Sequence, residues 1–120
     1  MEASARLADA ALAELAPIDV LVLGMGEDGH TASLFPGSPN LREALRADCP
    51  QRCLPMLAPS VPRQRLTLTL PLLASARLTL LAVQGQAKLA TLTDALAGDD
   101  VAAMPIRAFL RRPLEIHWCP

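Results

Sequence analysis

The sequence predicts an α/β domain with a largely parallel sheet. Three observations carry this. Strand-like and helix-like patterns alternate along the chain. The run 18–23 is apolar except for Asp19, the pattern of a strand buried on both faces, as in parallel sheets. A second apolar run, 77–83, is followed by Gly85 and then by a stretch of good helix formers.

A helix is predicted over 2–15, where Leu7, Ala11 and Leu15 recur near helical spacing in an alanine-rich stretch. Pro17 ends it. After the first strand, Gly24, Gly26 and Gly29 follow at once. Short helices are predicted over 31–34 and 40–47, separated by Pro36, Gly37, Ser38 and Pro39. Residues 48–64, rich in proline and cysteine, read as a long surface connection of a kind that usually carries function. In 65–70, Leu66, Leu68 and Leu70 alternate with Thr67 and Thr69, which marks a half-buried strand. Pro71 opens a short turn or helix through residue 75. The helix over 86–97 places Leu89, Leu92 and Leu96 on one face, with Gly98 as its C-terminal cap. Pro105 opens a further helix to about residue 110, and 114–118 is the last strand. The 120 residues suffice for one domain and not for two.

Composition narrows the function classes. Apolar residues are 52% and charged residues 19%, which excludes a disordered chain. No apolar run approaches the length of a membrane span. The net charge of −1 and the scattered arginines argue against a nucleic-acid partner. Aromatics are 2% (Phe35, Phe109, Trp118), too few for base-stacking platforms. Lys88 is the only lysine, which singles it out for attention. The beginning of the chain shows no secretory pattern. Cys49, Cys53 and Cys119 cannot all pair, and with His117 they lack the spacing of a structural zinc site. Reduced thiols in the cytoplasm and no metal are expected.

Chemistry concentrates in Gly24-Met25-Gly26-Glu27-Asp28-Gly29-His30-Thr31-Ala32-Ser33, just past the carboxyl end of a strand, where open α/β sheets bind ligands. Closely spaced glycines let backbone N–H groups approach an anion. The segment is neither a Walker A loop nor a dinucleotide fingerprint, since no Gly-Lys-Ser/Thr follows and the third glycine is out of register. Asp28 and His30 stand two apart, a spacing that lets a carboxylate hold an imidazole in one tautomer. His30 is then a candidate general base. A loop histidine beside a glycine turn is also a common capping or solvated residue.

Gly24 to Gly37 resembles the signature of the 6-phosphogluconolactonase family. Arg65 to Pro71 is similar to that family's Arg-x-Thr-Leu-Thr-x-Pro segment, Gly85 to Lys88 to its Gly-x-x-Lys, and Pro113 to Trp118 to its terminal strand. The four segments occur in order over nearly the whole chain. The resemblance implies a three-layer Rossmann-like fold, shared with glucosamine-6-phosphate deaminases and ribose-5-phosphate isomerases. It implies hydrolysis of 6-phospho-D-glucono-1,5-lactone to 6-phosphogluconate, in the oxidative pentose phosphate pathway, without a cofactor. His30 and Asp28 take the catalytic places, with His30 as base and Asp28 orienting it. Amides around Gly26 and Gly29 are expected to meet the oxyanion, and Lys88 and Arg65 the substrate's phosphate or carboxylate. A solvated surface lysine and a plain strand-edge arginine are the simpler readings of the last two. Glu27 reads as loop surface.

Deaminases of this superfamily carry a glutamate five residues after the histidine; here that position is Phe35, which favours the lactonase. Family members are longer. Their first half supplies the opening strands, a Ser-Gly-Gly-Ser-Thr-Pro type loop and an Asp-Glu-Arg type segment, none of which occurs here. The 120 residues therefore resemble a C-terminal half, with an incomplete fold and phosphate site. An exposed sheet edge, self-association and weak or absent activity are expected of the chain alone. The alternatives are a non-catalytic sugar-phosphate-binding fragment and an amino-sugar-phosphate isomerase or deaminase.

Overall fold

The computed structural model describes residues 2–120. Helix α1 (Glu2–Ala11) leads into strand β1 (Val20–Leu23), followed by α2 (Leu41–Ala44), β2 (Cys53–Leu57), β3 (Gln64–Leu68) and α3 (Leu70–Leu73). Strand β4 (Leu78–Gln84), helices α4 (Gln86–Leu96) and α5 (Arg107–Leu110), and strand β5 (Glu115–Cys119) complete the chain. β4 is the middle of a three-stranded parallel sheet, with β1 and β5 on either side. The α/β class and the parallel sheet read from the sequence are both present.

Two expectations about β1–β5 need correction. The half-buried strand expected at 65–70 forms as β3, which pairs with β2 in a separate antiparallel hairpin, Cys53 opposite Leu68 and Leu57 opposite Gln64. The 48–64 segment is thus not a loop throughout. Nor is the 18–23 run buried on both faces. Leu21, Leu23, Leu81 and Val83 face the core, whereas Val20, Val22 and Leu78 on the other face are 55%, 62% and 41% exposed. One face of the sheet is covered by this chain and the other is open.

The covered face meets a core of Leu34, Phe35, Leu73, Leu81, Leu92, Ile106 and Phe109. Helix α4 lays Thr91, Leu92 and Ala95 inward; Leu89 and Leu96, expected on the same face as Leu92, are exposed. Helix α1 is shorter than expected and buries Ala5, while Leu7 and Leu15 are exposed. Its Asp9 carboxylate accepts the amides of Arg52 and Cys53 and ties α1 to the hairpin. Cys49 and Cys53 are buried and unpaired, and burial pushes both thiols up, so they stay protonated and inert.

No helix is predicted correctly at 31–34. A tight turn forms there instead, with Thr31 bridged to Leu34 and Ala32 at φ 51°. The turn sends the chain back, so that Phe35 returns towards His30. That return shapes the site.

Candidate active site

The loop after β1 is held from several sides. Its buried Thr31 donates from Oγ1 to the Gly24 carbonyl at 2.7 Å. The Gly26 amide donates to the His30 carbonyl at 2.9 Å, and the Gly29 amide to the Gly26 carbonyl at 3.0 Å. The Ile106 amide donates to the Gly29 carbonyl at 2.9 Å. From α4, Lys88 donates to the Met25 carbonyl, and the Thr91 hydroxyl lies 3.1 Å from the Glu27 carbonyl. A loop fixed at this many carbonyls holds its side chains without a ligand to order it.

Two glycines are needed for different reasons. A Cβ at Gly26 would stand 2.2 Å from both Cε1 and Nδ1 of His30. The imidazole therefore lies directly against the Gly26 backbone. Gly29 adopts φ +85°, a left-handed conformation, and a Cβ there would meet the Met104 side chain at 2.9 Å.

His30 Nδ1 is 2.5 Å from Asp28 Oδ1, and the same oxygen accepts the His30 amide at 3.0 Å. Partial burial by itself raises the Asp28 pKa. The hydrogen bonds from the His30 amide and ring, with the ring's charge, outweigh that and hold the carboxyl below its ordinary range. Asp28 is therefore ionised at neutral pH. A carboxylate only accepts, so neutral His30 carries its proton on Nδ1 and leaves the Nε2 lone pair for chemistry. The two side chains are 30% and 40% exposed, open enough for a substrate to reach.

The structure gathers the other candidates around this pair in different ways. Phe35 is buried, its ring centroid 4.5 Å from the imidazole. The Arg65 guanidinium lies over Phe35 at 5.4 Å, and its Nε donates to the Pro62 carbonyl at 2.7 Å. Lys88 is half-buried against the loop rather than extended into solvent. The expected oxyanion role of Gly26 and Gly29 meets an obstacle: both amides are occupied inside the loop. These glycines shape the site through space and φ. Thr91 and Met104 were not singled out from sequence; Thr91 lies three residues after Lys88, on the same side of α4.

Among the described residues, no cluster of three or more His, Cys, Asp or Glu could hold a metal ion. A cleft of about 810 Å³ lined by Arg42, Leu70, Ala108 and Arg112 lies apart from His30. Among the described residues, no helix is long and apolar enough to cross a membrane.

A parallel-sheet α/β protein with an Asp–His pair on a glycine loop at a strand's carboxyl end is thus the class that the fold and site define. Residues 1–118 match the family model of glucosamine-6-phosphate isomerases and 6-phosphogluconolactonases. The chain belongs to that family. It is 64% identical over 120 residues to a 6-phosphogluconolactonase of Pseudomonas putida, covering 100% of this chain and 50% of that protein. A 6-phosphogluconolactonase of Pseudomonas aeruginosa is also 64% identical, with 100% and 51% covered. The crystal structure of a 6-phosphogluconolactonase from Shewanella baltica superposes with a TM-score of 0.90 at 40% identity, over 98% of this chain and 51% of that one. The chain thus spans about half the length of the relatives it matches.

Proposed function

We propose that this chain carries the base-bearing half of a 6-phosphogluconolactonase. At the family's full length it hydrolyses 6-phospho-D-glucono-1,5-lactone to 6-phosphogluconate. The observation that carries the reading is the 2.5 Å contact of His30 Nδ1 with Asp28, which leaves Nε2 as a base. His30 Nε2 takes a proton from water as the water oxygen attacks the C1 carbonyl. The tetrahedral intermediate collapses, the bond from C1 to the ring oxygen breaks, and His30 returns its proton to that oxygen. Asp28 orients the imidazole and stabilises its protonated form. No cofactor enters this sequence of steps.

The substrate's anionic groups fall to Lys88 and Arg65. An ammonium has three donors, so Lys88 can hold Met25 and still contact a phosphate. Gly26 and Gly29 admit the imidazole and turn the loop; the oxyanion is met by donors other than their two amides. The partner is a small sugar-phosphate lactone, and the setting is cytoplasmic.

The half-length match favours a second reading for the chain by itself, a sugar-phosphate binder with little turnover. The open face with Val20, Val22 and Leu78 supports self-association, because parallel sheets are ordinarily covered on both faces. An amino-sugar-phosphate deaminase is disfavoured by Phe35, which stands where that reaction's glutamate is expected.

Supplying fresh 6-phosphogluconolactone and glucosamine 6-phosphate separately to the full-length protein tests the assignment. Accelerated lactone opening with no ammonia released from the amino sugar is expected. Ammonia release, or a lactone rate equal to the uncatalysed one, overturns it.

A further inference from the structure

We infer that Phe35 is a positioning residue that fixes the orientation of the His30 imidazole; the inference rests on reading His30 as the base. Asp28 grips only the Nδ1 edge of the ring, and a single hydrogen bond permits swinging about its own axis. Two further surfaces remove that freedom. The Gly26 backbone lies against the edge formed by Cε1 and Nδ1. The Phe35 ring lies against the imidazole at 4.5 Å between centroids, tilted 39°.

Phe35 is itself immobile. It is 3% exposed and belongs to the main core. The Arg65 guanidinium lies over its ring, tied by Nε to Pro62. Strand β3 thereby reaches His30 through Phe35. An aromatic wall suits this task chemically. It restricts the imidazole by contact and offers no hydrogen bond to compete with Asp28 for Nδ1 or with water for Nε2.

The test compares the chain with Phe35→Leu, which keeps apolar bulk and removes the ring. Histidine ring ¹⁵N shifts report the tautomer of neutral His30, with His117 on β5 as an internal control. Wild type is expected to show His30 with its proton on Nδ1. In Phe35→Leu, that population is expected to fall towards the mixture of free histidine, with His117 unchanged. Lactone kcat in the full-length protein is expected to drop about tenfold at constant KM. Should Phe35→Leu fail to fold, Arg65→Met leaves the core intact and is expected to cause a smaller change in the same His30 signals. An unchanged His30 tautomer in the variant that folds, or a loss in KM alone, overturns the inference. His30→Ala separates the two readings: retained lactone turnover there removes the base assignment while the ¹⁵N result still stands.

Discussion

Gly26 and His30 fit each other by subtraction: the imidazole occupies the volume that a Cβ at residue 26 would fill. Gly26→Ala is therefore expected to displace His30 from Asp28 and to lower lactone kcat by about 10²-fold, the scale of an ångström misplacement. A rate within a few-fold of wild type would show that the loop relaxes around the methyl. Asp28→Asn keeps the shape and removes the acceptor that selects the Nδ1 proton. A loss of about 10²–10⁴-fold in kcat is expected, with melting behaviour little changed. The pH dependence follows from the depressed Asp28 pKa. A depressed carboxyl stabilises the fold above its unfolded value, and that contribution is lost as pH falls through the folded value. The Asp28 carboxylate is thus expected to stay ionised down to the ordinary aspartate value of 3.8 and to protonate only below it. Titration of the Asp28 side-chain carboxyl ¹³C signal checks this; a midpoint at or above 3.8 contradicts it. At this scale the pair Asp28 and His30 was legible, because both residues lie within one glycine-rich turn. The Phe35 wall was not, since it depends on the reversal at 31–34, where Ala32 takes a left-handed φ that no alanine signals in advance.

Helix α4 forms the back of the site, and its far end is closed by one side chain. Arg107 donates to the carbonyls of Ala95, Asp94 and Asp100, at 2.9, 3.1 and 3.0 Å. Gly98 leaves room for it; a Cβ there would meet the guanidinium at 2.5 Å. Arg107→Ala is expected to cost about 1–3 kcal/mol, the scale of hydrogen bonds to a charged group. The urea midpoint reads this, and a shift worth under about 0.5 kcal/mol would place those carbonyls in water with no penalty. β1 and β4 were legible in the sequence as apolar runs, and α4 as a stretch of helix formers after Gly85. The hairpin was not. Pro55 interrupts β2, which lies in a segment whose composition suggests a long surface connection, while the alternation in its partner β3 marks a half-buried strand without indicating what it pairs with. Pro55 nevertheless fits there, its carbonyl accepting the Asn40 side chain at 2.8 Å. The faces of α1 and α4 were misread for a related reason. Leucine spacing marks a stripe, but here the small residues Ala5 and Ala95 face the packed side, while Leu7, Leu89 and Leu96 face the open one and Leu92 alone of α4's expected stripe is buried.

At the scale of the molecule, a parallel sheet open on one face meets a length half that of its relatives. The 120-residue chain alone is expected to self-associate with rising concentration in sedimentation experiments. Val22→Lys, on the open face, is expected to shift it towards monomer. A wild-type chain that stays monomeric throughout would contradict that use of the face. Its own lactonase activity is expected to be weak or absent, and near-normal turnover by the isolated chain would show that the site needs nothing more. The strand-then-loop logic of the site was readable because it is local, whereas the covering of the sheet depends on contacts distant in sequence. The account as a whole turns on the imidazole. The direct measurement is turnover of fresh 6-phosphogluconolactone by the full-length protein with His30→Ala, its fold checked by circular dichroism. Loss of at least about 10²-fold in kcat is expected for removal of a general base. Turnover within a few-fold of wild type, with the fold intact, would contradict it.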